Sequence, residues 1–361
     1  MAQPSLIEIA SRHQSHIERL KSSEVKLFDD FLVTMSNDLR DRWSNIDITS
    51  LTRTRLEALI KQTSEEMAGT FSEYKNIWKE SIAEAAIYEA GFETRALDQV
   101  VEGVSWDLPS DNQIRAAVFS KPLGEIGGAS GGSLLETFFT DMSANQVKRI
   151  EGAIRLGYAE GRPLADIVRS IRGTKAAGYS DGLWAATKRD VEAVTRTALQ
   201  SAASTARESV WKANSSVIKS VRWVSTLDDR VSLQCAALDG QEFPVDSGPR
   251  PVAHVNCRCS TVAVLNAEYA EISQGRTRSE RDPETGKVGK VDAKLSYFEW
   301  LKTQPESVQD SIIGPNRGAL LRDGGLTSQR FQELQLGKNF EPLTLAEMRK
   351  LDPVAFTRAG L

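Results

Sequence analysis

Cys235, His254, Cys257 and Cys259 are the residues of this chain whose types and spacing could do chemistry. They include all 3 cysteines of the protein and one of its 3 histidines. Thiolate and imidazole suit zinc, and a Cys3His set fills a tetrahedron with no open position for catalysis. The His254-x2-Cys257 step is usual for zinc. Cys257-x-Cys259 asks for an extended or sharply turned backbone. Two other arrangements use the same residues: a disulfide with one free thiol, or reduced thiols packed as small hydrophobes. Nothing marks the chain as secreted, which disfavours the disulfide. The leading expectation is a structural zinc on these four residues, with reduced thiol packing as the standing alternative. No residue is assigned a catalytic or organic-cofactor role.

An enzymatic reading competes with this one. His254 and Cys257, beside Asp228 and Asp239, have the types of a base and a thiol nucleophile, or of part of a metallonuclease. A metallonuclease needs an open metal position and usually a second histidine or carboxylate. His254 is the only histidine beyond the N-terminal region, and four such ligands saturate the metal. The chain is therefore expected not to be an enzyme; a metal- or thiol-dependent nuclease or protease is the alternative.

The elements that must hold these residues are legible around them. Lys219 to Thr226 alternates as a short strand. Asp239-Gly240, between Ala236-Ala237-Leu238 and Gln241-Glu242-Phe243, reads as a hairpin turn with Gly supplying positive φ. Pro251 to His254 then returns as an extended segment, where Pro251 suits an edge. Upstream, a long helix is expected from Leu183 to Ala213, with Val191, Val194, Ala198, Ala202 and Val210 on a small-residue face. Ser143 and Gln146 suggest a capping box for an earlier helix carrying Val147, Ile150 and Ile154.

The fold class expected is α+β, predominantly helical, in four parts. Residues 1–95 form a helical docking region with two apolar stripes. The first runs Ile9, His13, Ile17, Leu20, Leu27, Phe31, Met35 and Trp43. The second runs Leu56, Leu59, Thr63, Met67, Phe71, Tyr74, Trp78 and Ile82, with Ser50 as its N-cap. Residues 96–140 are a Gly-rich linker or loop, with five glycines between Gly124 and Ser133 and no P-loop lysine. Residues 141–265 hold the α+β unit with the Cys/His cluster. Residues 266–361 comprise a charged loop, Gln274 to Lys294, and short helices that pack back, one capped by Thr344 and Glu347.

Composition narrows the function classes. Lys+Arg 45 against Asp+Glu 49 gives a net charge of −4, which argues against a dedicated nucleic-acid-coating surface. The opening MAQPSLIEIASRHQ has no basic n-region or apolar h-region, and no segment approaches about 18 consecutive apolar residues. Neither an export signal nor a membrane span is expected. His13 and His16 share a helix face, but no third ligand in the sequence stands beside them.

The run TLDDR…CAALDGQEF…PVAHVNCRC resembles the signature of the Mu F-like head morphogenesis proteins, minor capsid proteins of tailed bacteriophages. Thr226, Asp228, Arg230, Cys235, Asp239, Gly240, Phe243, Pro251, His254, Cys257, Arg258 and Cys259 stand where that pattern has them. Many members carry a further cysteine where this chain has Ser232, which leaves four candidate ligands instead of five. The resemblance extends through Tyr297 to Leu301 and Leu343 to Leu345, over the last half to two-thirds of the chain. It implies a virion protein inside the capsid near the portal, present in the host cytoplasm during assembly. It implies a structural role in head assembly or genome delivery. Its partners would be the portal protein and other head proteins, with packaged DNA within reach.

Overall fold

Periodic burial organises the N-terminal half. The structure, a computed structural model, describes residues 5–43, 46, 52–101, 103–123, 132–269 and 277–361. Helix α1 spans Leu6–Trp43, and Ser5 Oγ accepts from Glu8 N at its start. It buries Leu6, Ala10, His13, Ile17, Lys21, Val25, Phe28, Leu32, Met35, Leu39 and Trp43. Those steps of three and four trace one face of a 3.6-residue helix. Phe28, not Leu27, continues the stripe; Leu27 is 43% exposed. Helix α2, Arg53–Val100, buries all eight residues of its expected stripe. Its N-cap is Thr52, whose Oγ1 accepts from Arg55 N; Ser50 lies outside the described residues.

The stretch 96–140 contains more helix than its glycines suggest. Residues 96–100 finish α2, Asp111–Ser120 forms α3 with a Ser110/Gln113 capping box, and α4 begins at Leu135. Residues 124–131 of the glycine run lie outside the described residues. Helix α4, Leu135–Ala159, starts ahead of Ser143, which sits inside it and donates to the Thr140 carbonyl. Packing overrides the local capping signal there. Leu135, Phe139 and Met142 extend the same buried face as Gln146, Ile150 and Ile154. Gly157 lets α5, Leu164–Arg172, cross closely, since a Cβ would lie 2.4 Å from Ile167 Cγ1.

Helix α6 has the bounds expected, Leu183–Ala213, and it is the axle of the molecule. Every residue from Thr197 to Glu208 is buried. A helix apolar or small on all sides belongs inside a fold. Alanines and serines let neighbouring backbones come close, and α1, α2, α3, α4 and α5 all pack against α6. The stripes of α1 and α2 are thus used within the chain, and the 1–95 region shares its core with the rest.

Helix α6 feeds strand β1, Ile218–Val224, the centre of an antiparallel sheet ordered β2-β1-β3. Strand β2 is Glu242–Phe243 and β3 is Ser260–Leu265; Val221 pairs with both Phe243 and Ala263. The expected hairpin at Asp239-Gly240 is half helical. Its first arm is α7, Leu233–Leu238, N-capped by Ser232, and Gly240 at φ +77° turns the chain into β2. Pro251 to His254 is irregular; the return strand starts only after Cys259.

The stretch Gln274 to Lys294, expected as a charged loop, forms a β-hairpin over its described part. Strands β4, Thr277–Arg281, and β5, Val288–Asp292, pair in register around a turn in which Asp282 Oδ1 accepts from Glu284 N and Thr285 N. Residues 274–276 lie outside the described residues. The C-terminal part is six short helices: α8 (Tyr297–Lys302), α9 (Glu306–Ile313), α10 (Pro315–Asp323), α11 (Ser328–Glu333), α12 (Leu345–Leu351) and α13 (Pro353–Arg358). Thr344 and Glu347 form the expected capping box of α12. The fold is α+β and predominantly helical.

Because the long helices and the sheet share one core, damage to one should be felt by the other. Phe71 is 2% exposed and packs on Phe28. Phe71→Ala should lower stability by about 3–5 kcal/mol. Urea unfolding followed by circular dichroism and tryptophan fluorescence should give one coincident, shifted transition; separate transitions would contradict a shared core.

Candidate metal centre

Three elements bring the cysteines together. Cys235 sits in α7, its N–H donating to Ser232 Oγ at 3.2 Å. Cys257 and Cys259 flank Arg258 in the turn that enters β3. Asn256, at φ +61°, makes that turn, and its N–H donates to Thr197 Oγ1 of α6 at 3.0 Å. The Cys-x-Cys spacing works because Arg258 points the other way, forming a two-pronged ion pair with Asp228. The flanking side chains then share one pocket, and all three cysteines are buried.

The three Sγ atoms lie within 4.8 Å of one another, and Cys235 and Cys257 are 3.8 Å apart. A disulfide needs about 2.05 Å. All three thiols are free. Zinc bonds of about 2.3 Å to two corners of a tetrahedron imply sulfurs about 3.8 Å apart. The donor types and this spacing fit zinc.

His254 stands outside the sulfur triangle, half-buried at the Cys257 corner. Its Nδ1 lies 2.8 Å from the Val255 carbonyl, which can only accept, so Nδ1 is the donor. Hydrogen bonding to Cys257 raises its pKa. Cys257 is held well below the usual thiol range, first by hydrogen bonds from Cys235 and Cys259, then by His254. Cys235 is pushed well up by its hydrogen bonds to Cys257 and Cys259 and by burial. Cys259 also rises: its bond to Cys235 works downward, but its bond to Cys257 and its burial prevail.

The surrounding shell came mostly from residues that no sequence signal marked. Lys21 of α1 reaches the Cys257 carbonyl at 3.5 Å, and Gln200 of α6 donates to the Cys259 carbonyl at 2.8 Å. Ser225 donates to the Cys235 carbonyl at 2.7 Å. Arg278, from the stretch expected to be solvated, is 5% exposed and binds Asp239 at 3.0 and 3.1 Å. The Asp239 carboxylate also accepts from Ser225 N at 2.7 Å and Tyr297 N at 2.8 Å.

Asp228 and Asp239 are thus structural anchors. A cleft of about 280 Å³ opens between α1, Thr226 to Arg230 and the β4–β5 hairpin, lined by Glu18, Asp228, Arg230, Arg258 and Arg281 among others. Neither the cysteines nor His254 line it. His13 and His16 do not join the cysteines. His13 Nε2 lies 2.6 Å from Glu89 Oε2, and its ring stacks on Phe92 at 3.5 Å. Glu89, supplied by α2 and invisible to local spacing, also binds Arg207, which donates to Ser260 Oγ of β3.

Removing Asp239 would strand the Arg278 guanidinium in the interior. Asp239→Ala should cost about 3–5 kcal/mol. A replacement within 1 kcal/mol of wild type in urea unfolding would show that the pair contributes little.

Residues 148–262 match the family model described as phage Mu protein F like protein. The match runs from inside α4 through α6 and the cysteine triad into β3, and omits α1 to α3 and everything after β3. The segments Tyr297 to Leu301 and Leu343 to Leu345 fall outside it. No curated protein and no solved structure gives a significant match. Among the described residues no helix is long and apolar enough to cross a membrane. Residues 148–262 are similar to phage Mu protein F like proteins, and the cysteine-bearing motif that resembles the head morphogenesis family lies within that segment.

Proposed function

We propose that this protein is a minor head protein of a tailed bacteriophage, held inside the capsid near the portal and acting in head assembly or genome delivery. The observation that carries this reading is the Mu F-like match over residues 148–262, the segment that contains the axial helix and the thiol triad. Its partners are the portal and other head proteins, with packaged DNA nearby, and assembly takes place in the host cytoplasm. The role is structural. Burial of all three cysteines supports this, because a thiol nucleophile must meet its substrate. The use of Asp228 and Asp239 as ion-pair anchors supports it too. Docking to partners falls to the outer faces of α1 and α2, where Leu27, Val33, Ile77 and Tyr88 are exposed.

Purified particles of the parent phage should contain the chain at low copy number, shielded from added protease until the heads are opened. Its presence in infected-cell lysate but absence from particles would remove the minor head assignment.

In this reading the thiol triad is a fastener, with Cys235, Cys257, Cys259 and His254 holding one structural zinc. Such a metal ties α7 to the turn before β3, closing the loop that contains Asp239-Gly240. Ligands are not preassembled in the unfolded chain, so metal binding adds to folding stability. Protein purified without chelators or a metal-affinity tag should carry close to one equivalent of zinc by elemental analysis. Cys257→Ser should lose zinc and thermal stability together. A zinc content near zero would leave the cysteines as reduced core.

A further inference from the structure

Lys21 stands where the apolar stripe of α1 calls for a hydrophobe. It follows Ile17 and precedes Val25 on the same face, and it is the one buried lysine among the described residues, 1% exposed. Burying an ammonium is unfavourable unless something offsets the lost hydration. Its Nζ lies 2.6 Å from Glu18 Oε1, 2.6 Å from Gln200 Oε1 and 3.5 Å from the Cys257 carbonyl oxygen. Gln200 donates onward to the Cys259 carbonyl. Helices α1 and α6 therefore grip the Cys-x-Cys turn at both cysteine carbonyls, and the α1 grip ends in a positive charge.

That charge has a use if the triad holds a divalent metal. Three thiolates and a neutral imidazole around a 2+ ion leave one net negative charge. In a buried pocket such a charge requires a cation close by. Two arginines near the turn are otherwise engaged. Arg258 is clamped on Asp228, and Arg196 is bound by Glu192 at 2.8 Å with Glu18 3.6 Å away. Glu18, which faces Lys21, is partly exposed and shared with Arg196, so it answers the ammonium from the solvent side.

We propose that Lys21 is the buried counter-charge of a soft divalent metal centre at Cys235, Cys257, Cys259 and His254, so that metal loading locks helix α1 onto the cysteine turn. This rests on the zinc reading above and extends it to a helix outside the Mu F-like match. The metal then controls how firmly the N-terminal helix, with its exposed Leu27 and Val33, is held for partners.

The test uses the full chain, stripped of metal under reducing conditions and reloaded with Zn²⁺ against a chromophoric chelator, or with Co²⁺ followed by its thiolate absorption. Lys21→Met and Lys21→Gln should each weaken metal binding by about 10–100-fold, the range for losing a partner of the ligand shell. Metal-free Lys21→Met should melt no lower than metal-free wild type, because a buried charge has been replaced by an apolar side chain. A purely structural lysine would lower both quantities together. Hydrogen exchange across Gln14 to Phe28 should slow on zinc addition in wild type and stay unchanged in both variants. Wild-type affinity in the variants would overturn the counter-charge, and so would rescue by glutamine alone, which keeps a hydrogen bond but no charge. Unchanged exchange in zinc-loaded wild type would overturn the lock. Failure of wild type to take up zinc would instead overturn the metal reading, and this inference with it.

Discussion

The carboxylate of Asp239 is the interaction on which the rest of the cysteine-bearing unit depends. It is buried at the point where α7 ends and the chain turns into β2, and a lone charge there would be untenable. Four donors from three other segments answer it: two from Arg278 of β4, the N–H of Ser225 beyond β1 and the N–H of Tyr297 at the start of α8. Partners that converge on one buried charge cannot drift independently. The hairpin, the sheet and the first C-terminal helix are therefore held in one arrangement by electrostatics, and the aromatic cluster of Tyr297, Phe298, Trp300 and Phe331 packs around it.

A second polar seam runs through the helical body. His13 on α1, Glu89 on α2, Arg207 on α6 and Ser260 on β3 are joined in sequence, and Trp211 donates to Glu93 one turn along α2 at 2.7 Å. Desolvation pushes Glu93 upward, while Arg207 and His13 overcome the burial of Glu89 and hold it low. Alanine- and serine-faced helices can slide along one another with little change in packing. Paired charges at fixed heights remove that freedom, because any shift leaves a charge unmet. Lys21 and Gln200 do the same at the cysteine turn, coupling the N-terminal helix to the segment that matches the Mu F-like model.

The charged residues around the cysteines are paired inside the fold. The cysteines face inward, Asp228 and Asp239 are each bound by an arginine, and the N-terminal helices are built into the core with Leu27, Val33, Ile77 and Tyr88 exposed. The two aspartates near the Cys/His pair are ion-pair anchors, held by Arg258 and Arg278.

The sequence by itself determined what depends on neighbours a few residues away. Period-3.6 burial marked α2 residue by residue, the bounds of α6 were legible from its small-residue face, and Thr344 with Glu347 marked the cap of α12. Crowding of three cysteines around one turn foretold that they meet, and the motif around them pointed to the family whose model residues 148–262 match. Tertiary structure decided everything that depends on distant partners. Leu27 and Phe28 are both apolar, and only the packing of α2 on α1 selects Phe28. Ser143 has a cap's spacing, yet Leu135 and Phe139 find a core and the helix starts earlier. Ala236 to Leu238 fits a strand or a helix equally, and the buried pocket that receives Cys235 selects the helix. Arg278 reads as solvated until Asp239 meets it, and Lys21 reads as surface until the Cys257 carbonyl and Gln200 close over it. Local pattern fixes periodicity and caps; which face is buried, and which charge is answered, is set by residues that only the fold brings near.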